Sequence, residues 1–397
     1  MNTRSRISCL GLLACGLLSL ASHAQPARPE LRLGVVLAAS GGASSIGLPE
    51  RSAVALAEEK LGKADLPFTV KFVSYDDASD PTKSTNAVRR LVEEDKVHLV
   101  ICCTTTPSSL AVLETLTTTR TPSITLAAAA SSVEPADQRK YVFKASATDR
   151  MMIERLLDEV MHRKAKKVAS IFADDSYGES GLNALKALAP GAGVELGPVE
   201  RVARTDTNFT PQALRIRQSN PDVVYVHTYT PASYLVQEAL RRVGYTGLVI
   251  QSQGSASAAF LSLGNAALDG TLVIVAPVVV QSQLPANTPG RAALNEFVQA
   301  YEGKYGAGKA DNYSAMGWDA AHVAVLAFKS VLEQKKTDLA DLGATREALR
   351  EAMESMKGQV STSGLVGFSP TDHVGVDRKV ALPMSEIRGG RFVLATH

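Results

Sequence analysis

The chain has 397 residues, of which 45% are hydrophobic and 21% charged, with a formal net charge of +2. That length suits two domains rather than one, and the apolar fraction excludes a disordered chain. No long basic block is present, and Arg163-Lys164-Ala165-Lys166-Lys167 reads as a solvated helix end, so nucleic acid is not an expected partner.

Arg4 and Arg6 precede an apolar run from Ile7 to Ala21, and Ser22-His23-Ala24 then gives a small-x-small pattern before Gln25. This is the layout of a secretory signal peptide over residues 1–24, not of a membrane span. Leu12-Leu13-Ala14-Cys15-Gly16 also resembles a lipoprotein box with Cys15 as the lipid carrier. The apolar run continues past Cys15 to Ala21, which favours soluble export over a tether. No later apolar stretch is long enough to cross a bilayer. Cleavage after Ala24 removes two Arg and no acid, leaving 40 basic against 40 acidic residues. Cys9 and Cys15 leave with the leader. The remaining Cys102 and Cys103 are adjacent, which excludes a framework of bridges. They are expected as small buried hydrophobes at a strand end, or as a vicinal disulfide in an oxidising compartment.

Strand-like and helix-like stretches then alternate. Leu31–Leu37 reads as a strand, Ser40–Gly47 as a Gly-rich turn and Glu50–Leu61 as a helix. Phe68–Ser74 and Thr82–Glu94 repeat the pair. Val97 to Cys103 is a short apolar run that enters Thr104-Thr105-Thr106-Pro107-Ser108-Ser109. An apolar run of that length suits a buried parallel strand, and Pro107 suits the first turn of a helix. The hydroxyls thus gather where helix N–H groups are unpaired, which suits either N-capping or a small carboxylate. Pro122–Leu126 begins a fourth unit. The pattern resumes with strands at Tyr141–Lys144, Lys167–Phe172, Asp222–His227 and Leu248–Gln251. Helices are expected at Arg150–His162, Gly181–Ala189, Pro211–Gln218 and Ala232–Val243. Such alternation predicts an α/β fold of two doubly wound parallel-sheet lobes. Ligands of such sheets bind beyond the carboxyl ends of the strands.

Enzyme signatures are missing from those ends. Ser40–Gly47 has neither a Walker lysine nor the G-x-G-x-x-G spacing, and Gly178-Glu-Ser-Gly181 holds its serine in the wrong frame for a nucleophile elbow. The histidines show no metal-ligand spacing, so no metal or cofactor is expected. Asp76-Asp77 and Asp174-Asp175 each end a strand before a helix, where capping and turn roles are expected.

The order of several short stretches resembles the type I periplasmic binding proteins, and within them the leucine/isoleucine/valine-binding branch that feeds ABC importers. They are Gly34–Gly41 with Gly47, Tyr75–Pro81, Thr104–Ser109, Ile124–Ala130, Phe143–Ser146, Asp175–Gly178, Asp222–Tyr225, Trp318–Ala321 and Gly367–Pro370. The resemblance implies a periplasmic, monomeric, non-enzymatic receptor whose chain crosses between lobes three times. Lobe one would hold 26–146 and 277–358, and lobe two 147–276 and 359–397. The closed form would be recognised by an ABC permease or, as the other option, by a membrane receptor that reports the ligand. Thr106 matches a serine that grips the ligand carboxylate, and Ala127 and Ala129 match a loop that offers backbone groups and usually a Thr hydroxyl. Tyr177 and Tyr229 match aromatics from lobe two. Ser40, Thr105, Ala128 and Gln253 complete the expected ligand-contacting set. Gln253 stands where an acid would pair with an amino-acid ammonium, so a carboxylate ligand lacking that ammonium is expected, such as an aromatic acid. Ser79 stands where relatives carry a cysteine, which leaves Cys102 and Cys103 without that partner.

Overall fold

The computed structural model describes residues 28–264 and 266–395. The expected signal peptide and Cys15 lie outside the described residues. The first half alternates β1 (Glu30–Leu37), α1 (Ser44–Lys63), β2 (Thr69–Asp76), α2 (Pro81–Glu93) and β3 (Leu99–Cys102). It continues through α3 (Thr106–Ala111), α4 (Leu113–Thr118), β4 (Ser123–Ile124) and β5 (Val142–Phe143). These strands form one parallel sheet in the order β2-β1-β3-β4-β5. Residues along β1 alternate between two cores. Leu33, Val35 and Leu37 join the cluster shared with α1, while Val36 packs with Val88 and Leu91 of α2. A strand covered on both faces must be apolar on both, and each such side chain contributes roughly 1.5–3 kcal/mol.

The second unit comprises α5 (Asp149–His162), β6 (Lys167–Ala173), α6 (Ser176–Leu188), β7 (Glu195–Val202), α7 (Thr210–Gln218) and β8 (Val223–His227). After them come α8 (Ala232–Arg242), β9 (Leu248–Gln251), α9 (Ala258–Leu263) and β10 (Leu272–Ile274). Its parallel strands run β7-β6-β8-β9-β10, the same order as the first sheet. The chain then returns to the first lobe. There α10 (Arg291–Tyr305), α11 (Asn312–Gln334) and α12 (Leu342–Glu354) form a helical layer, with α11 against α1, β1 and β3. Arg346 of α12 donates to the carbonyls of Val92, Val97 and Thr119. The hairpin β11 (Gln359–Ser361) and β12 (Gly364–Val366) follows, and Val374 then bridges Lys144 beside β5. Finally α13 (Arg378–Ala381), β13 (Met384–Arg388) and β14 (Arg391–Leu394) rejoin the second sheet, antiparallel at its edge. The chain therefore passes between the sheets three times.

The elements α1, α6 and β7 differ from the sequence expectation, α6 beginning at Ser176 rather than Gly181. α1 begins six residues earlier than Glu50, with Pro49 inside it. Gly47 permits this, since any Cβ there would collide with the Ala38 carbonyl at the end of β1. Gly178 does the same for α6 against Ala173. β7 was not expected at all, because Gly197 and Pro198 and its mixed polarity argue against a strand. It is an edge strand paired with β6 alone, where an absent N–H and an exposed face are tolerated.

Candidate functional site

Strand-end loops from both sheets meet around one small cavity of about 40 Å³. The first lobe contributes Glu50 of α1, Thr104 after β3, Thr106 at the start of α3, and Ala128 after β4. The second contributes Tyr177 of α6, Tyr229 after β8 and Gln253 after β9, while Asn312, Tyr313 and Met316 enter from the start of α11. The lobes touch across it. The Tyr313 hydroxyl donates to the Gly254 carbonyl at 3.2 Å, and Arg204 Nη1 donates to the Gly42 carbonyl at 3.4 Å. A space of this size is far smaller than the usual small-molecule pocket.

The five hydroxyls of 104–109 divide into distinct tasks. Thr105 caps α3 by accepting from Ser108 N, and it faces the outer mouth of the cleft rather than the cavity. Ser108 Oγ accepts from Ser84 Oγ at 2.9 Å, and Ser109 Oγ sits among the Cys103 backbone and Thr125 Oγ1. Both are buried structural groups. Thr104 and Thr106 are the two that reach the cavity. Cys102 and Cys103 are buried and joined to each other.

The remaining expected residues also separate. Ser40 Oγ donates to Asp76 Oδ2 at 2.7 Å, away from the cavity wall. Burial opposes ionisation of Asp76, yet its bonds from Ser40 and from the Ala78, Ala39 and Ser40 amides hold it below the ordinary carboxylate range. Ser79 Oγ donates to the Ser40 carbonyl and accepts from Ala43 N, tying the same loop without a disulfide. Of the three alanines, Ala128 lines the cavity. The Ala127 carbonyl accepts from Lys144 Nζ at 2.6 Å and the Ala129 carbonyl from Ser132 Oγ. Tyr177 and Tyr229 lie together, ring centroids 4.7 Å apart, and the Tyr177 hydroxyl donates to Ser252 Oγ. His227 stacks behind Tyr177 at 4.1 Å and does not line the cavity; burial pushes its pKa down to about 3. Asp175 caps α6 and Asp77 anchors Ser79 and Ser84, so both acid pairs serve turns and caps.

Glu50, Thr104 and the α11 residues were not among the expected contacts. Glu50 carried a signal, since it shares a buried helical stripe with Ile46, Ala53, Val54 and Ala57. A charged residue on such a stripe points to a site. Behind the wall Lys144 is wholly buried, and burial pushes its pKa down to about 7 against the attraction of Asp149 and Glu50. Asp149, accepting from the Ala130 and Arg150 amides, is pushed up to about 6 by its own burial. Among the described residues no group of His, Cys, Asp and Glu is arranged to hold a metal ion, and no helix is long and apolar enough to cross a membrane.

A family model described as periplasmic binding protein matches residues 30–384. The chain belongs to the periplasmic binding protein family. Its two lobes are those of the type I fold, and its curated relatives carry Leu/Ile/Val-binding names. One, Leu/Ile/Val-binding protein homolog 7 of Brucella abortus (strain 2308), is 23% identical over 337 residues, 81% of this chain and 82% of the relative. An extracellular ligand-binding receptor from Rhodopseudomonas palustris HaA2 superposes with a TM-score of 0.84 at 32% identity, covering 92% of this chain and 99% of that one. A solute binding protein of an ABC transporter from Rhodopseudomonas palustris BisB5, solved with 3,4-dihydroxy benzoic acid, shares the fold at a TM-score of 0.76 and 20% identity, over 91% of this chain and 95% of that one.

Proposed function

We propose that this chain is an exported, monomeric receptor that clamps a small carboxylate-bearing ligand between its lobes and delivers it to an ABC permease. The carrying observation is the shared cavity, in which Thr106 from one lobe opposes Tyr177 and Tyr229 from the other. A ligand there touches both lobes only when they close, so its binding energy favours the closed form that a permease would recognise. The lobes would divide as 26–146 with 277–358 and 147–276 with 359–397, hinged near the Lys144–Val374 bridge.

The ligand would be an organic acid without an α-ammonium, an aromatic acid being the favoured case. Gln253 supports this: it lines the wall with a neutral amide, whereas burying an ammonium without a carboxylate partner costs several kcal/mol. The BisB5 receptor's aromatic acid shows that the fold admits such a ligand. Calorimetric titration of the mature protein with leucine, isoleucine, benzoate and 3,4-dihydroxybenzoate tests the reading. Tight binding of leucine alone would sink it. Thr106→Ala is expected to weaken the acid by about 10-fold or more, the worth of one hydrogen bond to a charged group.

A further inference from the structure

Among the described residues, Glu50 is the one carboxyl side chain in the cavity wall. It is fully buried, and its two oxygens are treated differently. Oε2 meets Thr104 Oγ1 at 2.5 Å. In that bond the Thr104 hydroxyl donates to Glu50 Oε2, while its oxygen accepts from Ala38 N at 3.0 Å. Oε1 has no partner. Among the described residues no basic side chain forms an ion pair with Glu50.

The charged and titratable groups that face Glu50 from neighbouring elements are Lys144 beyond β5, Asp311 at the N-cap of α11 and Asp77 after β2. Lys144 turns its ammonium to the Leu126 and Ala127 carbonyls, and the two acids repel a charge on Glu50. Tyr313 is close too, but its hydroxyl proton is committed to Gly254. An ionised carboxylate needs several donors or a cation, and Glu50 has a single hydroxyl. Burial, the largest influence, pushes its pKa up to about 8.

We propose that Glu50 meets the ligand as an undissociated carboxylic acid, donating from Oε1 to an acceptor oxygen of the bound anion. The idea rests on the carboxylate reading above and adds the donor that selects for it. With Thr104 occupying Oε2, the acid proton belongs on Oε1, the atom left for the cavity. An anionic oxygen there gains a strong hydrogen bond without an opposing charge. An ammonium in the same place would require Glu50 to ionise first.

The test titrates benzoate and leucine into wild type, Glu50→Gln and Glu50→Ala from pH 6.5 to pH 9.5. The expected result is that benzoate affinity in wild type falls above about pH 8, approaching tenfold per pH unit as the donor proton is lost. Glu50→Gln, which keeps an N–H donor, is expected to bind benzoate within about threefold and to lose that pH dependence. Glu50→Ala is expected to bind it about 10-fold more weakly at pH 7. Leucine binding that strengthens with pH and vanishes in Glu50→Gln would overturn the proposal, making Glu50 an ammonium partner. A flat benzoate profile shared by all three proteins would overturn it too, while leaving the carboxylate reading intact. Infrared difference spectra of wild type against Glu50→Gln at pH 7 provide a readout without ligand. The carbonyl band of a protonated carboxyl must be present in wild type and missing in the variant; its absence refutes the proposal even if neither probe binds.

Discussion

Arg204 makes the closure itself measurable. It belongs to the second lobe, lies over the Tyr229 ring at 3.8 Å and approaches Asp175 Oδ2 at 3.8 Å, both within its own lobe. Its bond to the Gly42 carbonyl crosses to the first lobe. In the proposed opening that bond would be lost, so it contributes to the balance between open and closed forms, beside the electrostatic influence of Arg204 on Tyr313. A charged donor on a carbonyl at 3.4 Å, with the side chain 29% exposed, is worth roughly 0.5–1.5 kcal/mol. Arg204→Ala should therefore weaken ligand binding about 2- to 10-fold, with Thr106 and Glu50 untouched. Calorimetry supplies the affinity, and small-angle scattering the radius of gyration with and without ligand. The variant is expected to be more open at subsaturating ligand and as compact as wild type at saturation. Unchanged affinity together with unchanged scattering would show that the Gly42 contact does not hold the lobes closed.

Three other expectations follow from single features. Arg346→Met strips the donor from the Val92, Val97 and Thr119 carbonyls. It should lower stability by roughly 3 kcal/mol or more in denaturant unfolding, and a loss under 1 kcal/mol would contradict the buried-donor argument. Gly178→Ala drives a methyl into the Ala173 carbonyl and should cost about 1–3 kcal/mol, read as a lowered Tm. Asp319 accepts from the Thr362 amide and hydroxyl, and burial pushes its pKa from 3.8 to about 7. The folded state thus holds a proton that the unfolded chain releases first, so stability falls as pH rises from about 4 to about 7. Asp319→Asn should remove that part of the slope in a Tm-against-pH series, and an unaltered slope would assign it to other groups.

The strand–helix alternation was legible because most central parallel strands, such as Leu99–Cys102 and Val223–His227, are nearly continuous apolar runs, and several helix starts carry their own cap. Asp80, Thr105, Thr148 and Asp175 accept from first-turn amides, as residues of their type before a helix do. β7 was not legible, since Gly197 and Pro198 interrupt it and its edge position tolerates that break. The hydroxyl run was recognisable as special, but sequence could not say that Thr105 caps, Ser108 and Ser109 brace the interior, and Thr104 and Thr106 face the cavity. That assignment depends on Glu50, Ser84 and Thr125, which arrive from other elements. Asn312, Tyr313 and Met316 were missed for the same reason. They lie about 200 residues from Thr106 and reach the cavity because α11 returns to pack on α1.

The triple passage of the chain between the sheets has a mechanical consequence. A single connecting strand would let one half swivel, slide and twist against the other. Three connections, two of them bridged at Lys144 and Val374, resist torsion and sliding more than one would, leaving bending as the soft direction. In the proposed closure the two halves would then meet along one repeatable path, each capture bringing the same faces into the same register. To anything docking from outside, such a molecule would present two silhouettes rather than a continuum.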